Sequence, residues 1–413
     1  MKKVLPILLI FILLGGCNQN QPIDPNPNED NAPIDNPTGD DDNPSGGDHG
    51  GGDTNPPSGD DNPPSQDDDP SEEEKVILNT FDNFNIHTQL QQSFLDLDED
   101  NLDNVVSFVD GTQELSHPQK AVLSFRSNKS KKEYYVDFSK DESFTSYETF
   151  KADNARAELT NLELATTYYW RVKSDTYTSE VSSFTTLDNG IRNIYIDGVS
   201  NARDIGGYLV NNNQKRIKQG LIYRTGRLNV SWKDEKEYQI TEDGIKTMKE
   251  ELGIKSEIDL RRTYDGESSH IQNSVLGNDV NYFDCHISYN AEDYFEVDKA
   301  GVKAMFLALT DLSNLPAFFH CDIGTDRTGA NAFLLGALLG KSEIDLYKDY
   351  LFSNFGNIGG SRKLIDLHTR IDSLFTFDGD TLQEKAINYL EYIGIKEERI
   401  TNFINYCLED VSA

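Results

Sequence analysis

With 413 residues, 71 Asp and Glu against 38 Lys and Arg, and a net charge of -33, the chain lacks the clustered positive surface that a phosphate backbone demands, which excludes nucleic acid as a partner. Four cysteines in so long a chain do not make a disulfide framework. The length exceeds one typical domain, and the composition is uneven enough that the chain must be divided before it is read.

Residues 1–17, MKKVLPILLIFILLGGC, place two lysines before an apolar core, Val4 to Leu14, too short to span a bilayer permanently, and end on small residues: an export signal. The tail Leu14-Gly15-Gly16-Cys17 resembles the bacterial lipobox. That resemblance implies cleavage before Cys17 and lipid on its thiol. The mature protein would then be lipid-anchored at the cell membrane, on the outer face of the cytoplasmic membrane or in the envelope, each buried methylene contributing about 0.8 kcal/mol. An uncleaved anchor or a plain secretory signal is the alternative.

Residues 18–74 contain no Lys or Arg, eleven of the fourteen prolines and seventeen Asp and Glu. Too little apolar area exists there to offset chain entropy, so the segment is expected to be a disordered linker, with a root-mean-square reach on the order of 40 Å. Runs such as GDDDNPSGGDHGGGD lack the closing glutamate of a calcium loop. With Cys17 assigned to lipid, Cys285, Cys321 and Cys407 remain, and a thiol kept outside the cytoplasm is exposed to oxidation, so at least one is expected to have a task.

Residues 75–188 show short alternating runs: AVLSF at Ala121, EYYVDF at Glu133, ARAEL at Ala155, TYYWRVKS at Thr167 and SEVSSFTT at Ser179. Period-two alternation rich in aromatic and branched residues predicts antiparallel strands in a β-sandwich. The span LTNLELATTYYWRVKSDTYTSEVSSFTTL resembles the last two strands of a fibronectin type III domain, with Leu164, Thr166 and Tyr168 placed like a tyrosine corner. That likeness implies a spacer or binding module.

From Ile191 to Ala413 the pattern changes. Strand-like RNIYID, GLIYR, SEIDLR, NYFDCHI and PAFFHC alternate with helical segments, as in a layered α/β domain. TEDGIKTMKEELG reads as a helix capped by Thr241 and stopped by Gly253, and DKAGVKAMFLALTD as another. Beyond Lys341 more helix is expected, including a capping box from Thr381 to Glu384.

One stretch carries chemistry. FHCDIGTDRTGAN, Phe319 to Asn331, delivers His320 and Cys321 at the end of an apolar strand and opens a helix at about Arg327. Between them lies a tight loop of Asp322, Ile323, Gly324, Thr325 and Asp326. Such a loop points backbone N–H groups inward and the helix dipole adds positive potential, so it cradles a phosphate. A cysteine at its base has its thiolate favoured by the same field and becomes a nucleophile under phosphorus. Arg327 grips two phosphoryl oxygens with one planar group, and Thr328 sets a hydroxyl beside the leaving thiolate. His320 is expected to brace the loop through backbone hydrogen bonds. No metal or other cofactor is expected, since neighbours on a strand face opposite sides and no partner pair stands at ligand spacing.

The loop resembles the signature of the cysteine-dependent phosphatases, the tyrosine and dual-specificity superfamily. NARDIGGY at Asn201, GLIYRTGRL at Gly220, IDLR at Ile258, HCDIGTDRTG at His320 and DLYKDYLFSN at Asp345 follow the order of the bacterial lipid and tyrosine phosphatases of the NFRDLGG type. The resemblance covers 191–413 and implies a phosphatase α/β fold and a phosphocysteine intermediate. It implies phosphotyrosine as substrate, sometimes phosphoserine or phosphothreonine, and often phosphoinositides. Thr325 stands where that family usually has lysine, which weakens the case for polyanionic headgroups.

Asp326 is the first candidate for the general acid, by likeness to phosphatases with a DR loop, and Asp284 or Asp293 is the alternative. Arg203 and Asp204 are expected to pair near the site. Arg224, Arg227 and Arg261 either lend positive potential or serve the fold. Cys285 reads as a small buried hydrophobe, with a reversible disulfide to Cys321 as the alternative. The whole points to a surface-tethered phosphatase. A phosphoinositide or inositol phosphate phosphatase, or a catalytically silent phosphate-binding surface protein, is the alternative.

Overall fold

The computed structural model describes residues 72–411 apart from 130–131, 189, 230–239, 262–272 and 289–291. The signal, Cys17 and nearly all of the acidic linker lie outside the described residues.

The first half is built from strands. In chain order these are β1 (Val76–Asn79), β2 (Asn83–Phe84), β3 (Ala121–Ser127), β4 (Tyr135–Ser139), β5 (Glu148–Lys151), β6 (Arg156–Leu159), β7 (Thr167–Lys173) and β8 (Ser182–Thr186). They form a three-stranded sheet β1-β3-β6 and a five-stranded sheet β2-β8-β7-β4-β5. The alternation seen in the sequence decides which face is inside. Along β7, Tyr168, Trp170 and Val172 are buried while their neighbours are only partly so, and they meet Leu123, Phe125, Val136 and Phe184 in one apolar cluster. The Tyr168 hydroxyl accepts the Glu163 amide at 2.8 Å, the bond of a tyrosine corner.

Between β2 and β3 the chain leaves the sandwich. Helix α1 (Gln89–Leu95), capped by Thr88, and a 3-10 helix over Glu99–Ser107 carry Phe94, Leu102 and Val105 into the core of the second half, and Val109 follows them there. The boundary expected at 188 therefore divides the strands but not the packing.

The second half is centred on a six-stranded sheet. Its strands are β9 (Arg192–Asn193), β10 (Arg203–Asp204), β13 (Ile222–Thr225), β14 (Ser256–Asp259), β15 (Asn281–Asp284) and β16 (Ala317–His320), with β11 (Leu209–Val210) and β12 (Lys215–Ile217) forming a side ribbon with β17 (Leu408–Asp410). The order is β15-β14-β16-β13-β10-β9, with β15, β14, β16 and β13 parallel. All five strand-like segments of the sequence lie in it. NARDIGGY adds the sixth, β10, through Arg203 and Asp204.

Helices follow in order: α2 (Glu242–Lys246), which widens into a π-helix over Thr247–Glu251, α3 (Tyr294–Val297), α4 (Lys299–Leu309), α5 (Asp326–Leu338), α6 (Glu343–Leu351), α7 (Leu364–Ile371), α8 (Leu382–Tyr392) and α9 (Glu397–Cys407). Thr241 caps α2 by accepting the Gly244 amide, and the Thr381 to Glu384 capping box is present. Every residue of α5 is buried, and α6, α7 and α8 pack directly on it. Strand β16 is central in the sheet and α5 is central among the helices. The loop between them is thus held from every side.

Candidate phosphate-binding site

Cys321 stands at the carboxyl end of β16 and is 1% exposed. The loop after it is shaped by what its carbonyls do. The Asp322 carbonyl accepts the Arg227 amide at 2.9 Å, the Ile323 carbonyl accepts Asn201 Nδ2 at 3.1 Å, and the Gly324 carbonyl accepts Arg224 Nη2 at 2.7 Å. Three consecutive carbonyls bound to the scaffold turn the peptide planes so that their N–H groups face the other way. Among the described residues, no protein acceptor takes the amides of residues 322–326. Gly324 has φ +71°, and a Cβ there would lie 2.5 Å from the Thr225 carbonyl oxygen, so only glycine lets the loop close on β13. The amides of residues 322–326 and the first turn of α5 are thus left in the arrangement that an anion cradle requires.

The predicted residues fall as follows. Asp326 opens α5, one residue before the expected start. Arg327 is 1% exposed in the first turn. Thr328 is fully buried, and its hydroxyl has no hydrogen-bond partner among the described residues. Thr325 is buried against Asn201 and the Ile323 carbonyl, while Asp322 faces Arg227. The Tyr294 hydroxyl is also buried, beside the Arg370 guanidinium and within electrostatic reach of Asp326, Arg327 and Cys321. Burial pushes that phenol well up, so it stays a donor.

The acid candidates differ sharply. Asp326 receives a bidentate grip from Arg362, Nε at 2.9 Å and Nη2 at 3.0 Å, with Arg370 Nε at 3.6 Å. Burial would raise its pKa, but Arg362, Arg370 and Arg327 outweigh it and hold the carboxyl below the usual range. In the ligand-free protein Asp326 is thus an anion. Asp284, at the end of edge strand β15, is exposed, and partial desolvation raises its pKa despite His286 Nε2 at 2.5 Å. Asp293 caps α3 through the Phe295 and Glu296 amides and takes both donors of Ser373, so its carboxylate is spent on the fold.

One expected pairing needs correction, and the open choice for three other arginines closes toward the fold. Arg203 and Asp204 do not pair, because neighbours on β10 point to opposite faces. Asp204 binds Arg192 at 2.8 Å, and Arg203 binds Asp349 at 3.2 Å. Arg224 and Arg261 are fully buried and committed to the scaffold: Arg224 joins Asp349 at 2.5 Å to the loop carbonyl, and Arg261 is paired with Asp259. Arg227 is likewise nearly buried and pairs with Asp322. Asp349 therefore neutralises two arginines beneath the cradle. Cys285 packs in the apolar core with its thiol pushed up to about 12 by burial, which fits the bland expectation.

His320 braces the loop by Nδ1 to its neighbour's carbonyl, Cys321 O, at 3.0 Å. The expectation that no partner pair stood near it fails: parallel β14 brings Glu257 and Asp259 to the same face, Glu257 Oε1 lying 2.9 Å from His320 Nε2. Ligand atoms of these three lie within 4.8 Å of one another. Asp259 is, however, taken by Arg261 and by the Tyr282 hydroxyl at 2.8 Å, so the group closes as a charge network. Acids at alternate positions of an apolar strand, as in SEIDLR, are the signal that reveals such a pair. Asp349 had a comparable signal, an acid on the buried face of α6. Arg362 and Arg370 had none.

Residues 194–406 match the family model described as the tyrosine phosphatase family. A Cupriavidus necator protein with the provisional name of tyrosine-protein phosphatase is 28% identical over 189 residues, 41% of this chain and 65% of that protein, so the chain spans just under two thirds of that relative's length. Among solved structures, the core catalytic domain of the PP-IP phosphatase Siw14 from S. cerevisiae is 15% identical, with a TM-score of 0.29 over 48% of this chain and 96% of that one. TpbA of P. aeruginosa is 17% identical, with a TM-score of 0.27 over 43% and 94%.

Proposed function

The chain belongs to the tyrosine phosphatase family, and from that premise we propose that it hydrolyses phosphomonoesters, phosphotyrosine foremost, through a phosphocysteine on Cys321. The observation that carries this reading is the loop with its carbonyls bound outward and its amides inward, around a buried cysteine and ahead of Arg327.

In the proposed reaction the phosphoryl oxygens take the amides of residues 322–326 and the Arg327 guanidinium. The Cys321 thiolate attacks phosphorus, the bond to the ester oxygen breaks, and a carboxylic acid protonates that oxygen. Water then attacks phosphorus, the S–P bond breaks, and the Thr328 hydroxyl supports the departing thiolate. Asp326 serves as the acid once a bound phosphate competes with it for Arg362 and lets it take up a proton. Asp284, whose pKa is already raised, is the alternative.

A second reading, phosphoinositides or inositol phosphates, is favoured by Arg362 and Arg370. Both side chains keep 21% of their surface exposed beside Asp326 and supply cations that Thr325 does not. In this proposal the export signal and lipid on Cys17 tether the enzyme to the membrane, the acidic linker is the spacer, and the fibronectin type III-like sandwich is a docking module.

Purified protein should hydrolyse p-nitrophenyl phosphate, and Cys321→Ser should not. A Cys321→Ser protein working at the parent rate would reject the reading. Rates on phosphotyrosine peptide and soluble inositides separate the two substrate classes. Cys17→Ser should release the protein from the membrane fraction.

A further inference from the structure

The excursion between β2 and β3 does more than fill the core. Its last part grips the segment that leads into Arg362. The Gly111 carbonyl accepts the amides of Ile358 at 2.9 Å and Gly359 at 3.0 Å, and the Leu115 amide donates to the Phe355 carbonyl at 2.6 Å. Glu114 Oε2 accepts the Asn357 amide at 3.1 Å. Just beyond, Asp103 Oδ1 accepts the Leu364 amide at 2.8 Å. The grip is tight: a Cβ on Gly111 would lie 1.8 Å from the Gly360 carbonyl oxygen, and the residue has φ +71°.

The gripped segment is itself closed by Asn354, which accepts the Arg362 amide at 2.7 Å and donates to the Arg362 carbonyl at 3.0 Å. The Arg362 side chain has little slack left. It ends in the two-point clamp on Asp326, next to Arg327 in the first turn of the cradle helix.

We propose that Gly111 and Glu114 are positioning residues of the phosphatase site: they lock residues 355–360 so that Arg362 meets Asp326 in the ligand-free protein and stands where an incoming phosphate can draw it off. The catalytic region is then incomplete without a segment that, in sequence, belongs to the sandwich. Because Asp326 matters only if Cys321 catalyses, this role stands on the phosphatase reading above.

A guanidinium held in two-point geometry loses its advantage with a displacement of about 1 Å, so a slight loosening of the grip is felt at Asp326. The charged and titratable groups facing that carboxylate are Arg362, Arg370 on α7, Arg327 on α5, Tyr350 on α6 and Tyr294 on α3. Of these, Arg362 is the one reached through the segment that Gly111 and Glu114 hold, whereas Arg370 rides on α7, whose first amide is taken by Asp103.

The test is the pH dependence of kcat/KM on p-nitrophenyl phosphate, which reports the free enzyme in which the clamp is made, using the full chain with Gly111→Val, Glu114→Gln, Arg362→Met and the double variants. Losing the clamp moves the limb that reports Asp326 upward, by about one pH unit in Arg362→Met. Gly111→Val should move it in the same direction, and Glu114→Gln by less. Adding either to Arg362→Met should move it no further. Additive shifts, or an unmoved limb in a folded Gly111→Val or Glu114→Gln protein, overturn the proposal, and Glu114→Gln decides where Gly111→Val fails to fold. Should the parent show no turnover, the phosphatase reading has failed on its own. The pH dependence of inorganic phosphate binding to the same set then decides the positioning role by the same criterion.

Discussion

The sandwich and the catalytic sheet both bury a carboxylate that serves two cations, and they do so in opposite ways. Asp137 on β4 is fully buried, but its partners Arg171 at 3.2 Å and Lys173 at 2.6 Å keep 27% and 31% of their side chains exposed. Asp349 on α6 serves Arg203 and Arg224, whose side chains are both 0% exposed. At the sandwich rim, water remains a substitute partner for each cation. Beneath the cradle no substitute exists, so every member of the network fixes every other. The rim pair finishes a surface, whereas the buried network sets the position of a loop whose carbonyl Arg224 holds.

The largest expected effect follows directly. Asp349→Ala strands two buried guanidiniums and should cost about 3–5 kcal/mol in denaturant unfolding, with activity lost as the Gly324 carbonyl goes free. The pH dependence has a definite sign. Burial would raise the Asp349 pKa, but Arg224 and Arg203 outweigh it and hold the carboxyl well below the usual range. A depressed folded value means that its stabilisation is fully present above the unfolded value of about 4 and is lost as the pH falls below it. The catalytic region should therefore unfold in acid, and Asp349→Asn should flatten that dependence.

Next in size, Arg327→Lys replaces a planar fork with a point charge and should lower kcat on p-nitrophenyl phosphate by about 10²–10³-fold while the melting transition stays in place. Tyr294→Phe removes a buried donor set among Arg370, Asp326 and Arg327 and should cost about tenfold in kcat/KM, the worth of one hydrogen bond to a charged oxygen. The smallest effect belongs to the rim: Asp137→Ala should destabilise by only about 1 kcal/mol, because its partners turn to solvent. An Asp137 variant as damaging as the Asp349 variant would erase the distinction between the two regions.

The same contrast explains what the sequence disclosed. Strand β7 was legible because Tyr168, Trp170 and Val172 alternate with polar neighbours, and that periodicity is local. The loop from Cys321 to Thr328 was legible because its chemistry is written in eight consecutive residues. Arg362 was not, and Asp349 and Glu257 showed locally only that an acid was buried, because each acquires its role from a segment far along the chain: Arg362 reaches Asp326 across 36 positions and Arg203 reaches Asp349 across 146. The excursion through Phe94, Leu102 and Val105 escaped for a related reason, since an amphipathic face does not say which core it enters.

The central claim is that sulfur, not water or a carboxylate, first takes the phosphoryl group. Rapid quench of the parent protein with p-nitrophenyl phosphate, in denaturant at alkaline pH, followed by mass spectrometry of the peptides, tests it most directly. The account predicts a phosphoryl adduct on Cys321, formed faster than turnover, increased in Thr328→Ala and absent from Cys321→Ser. Turnover with no adduct on Cys321, or with the adduct on another residue, would contradict it.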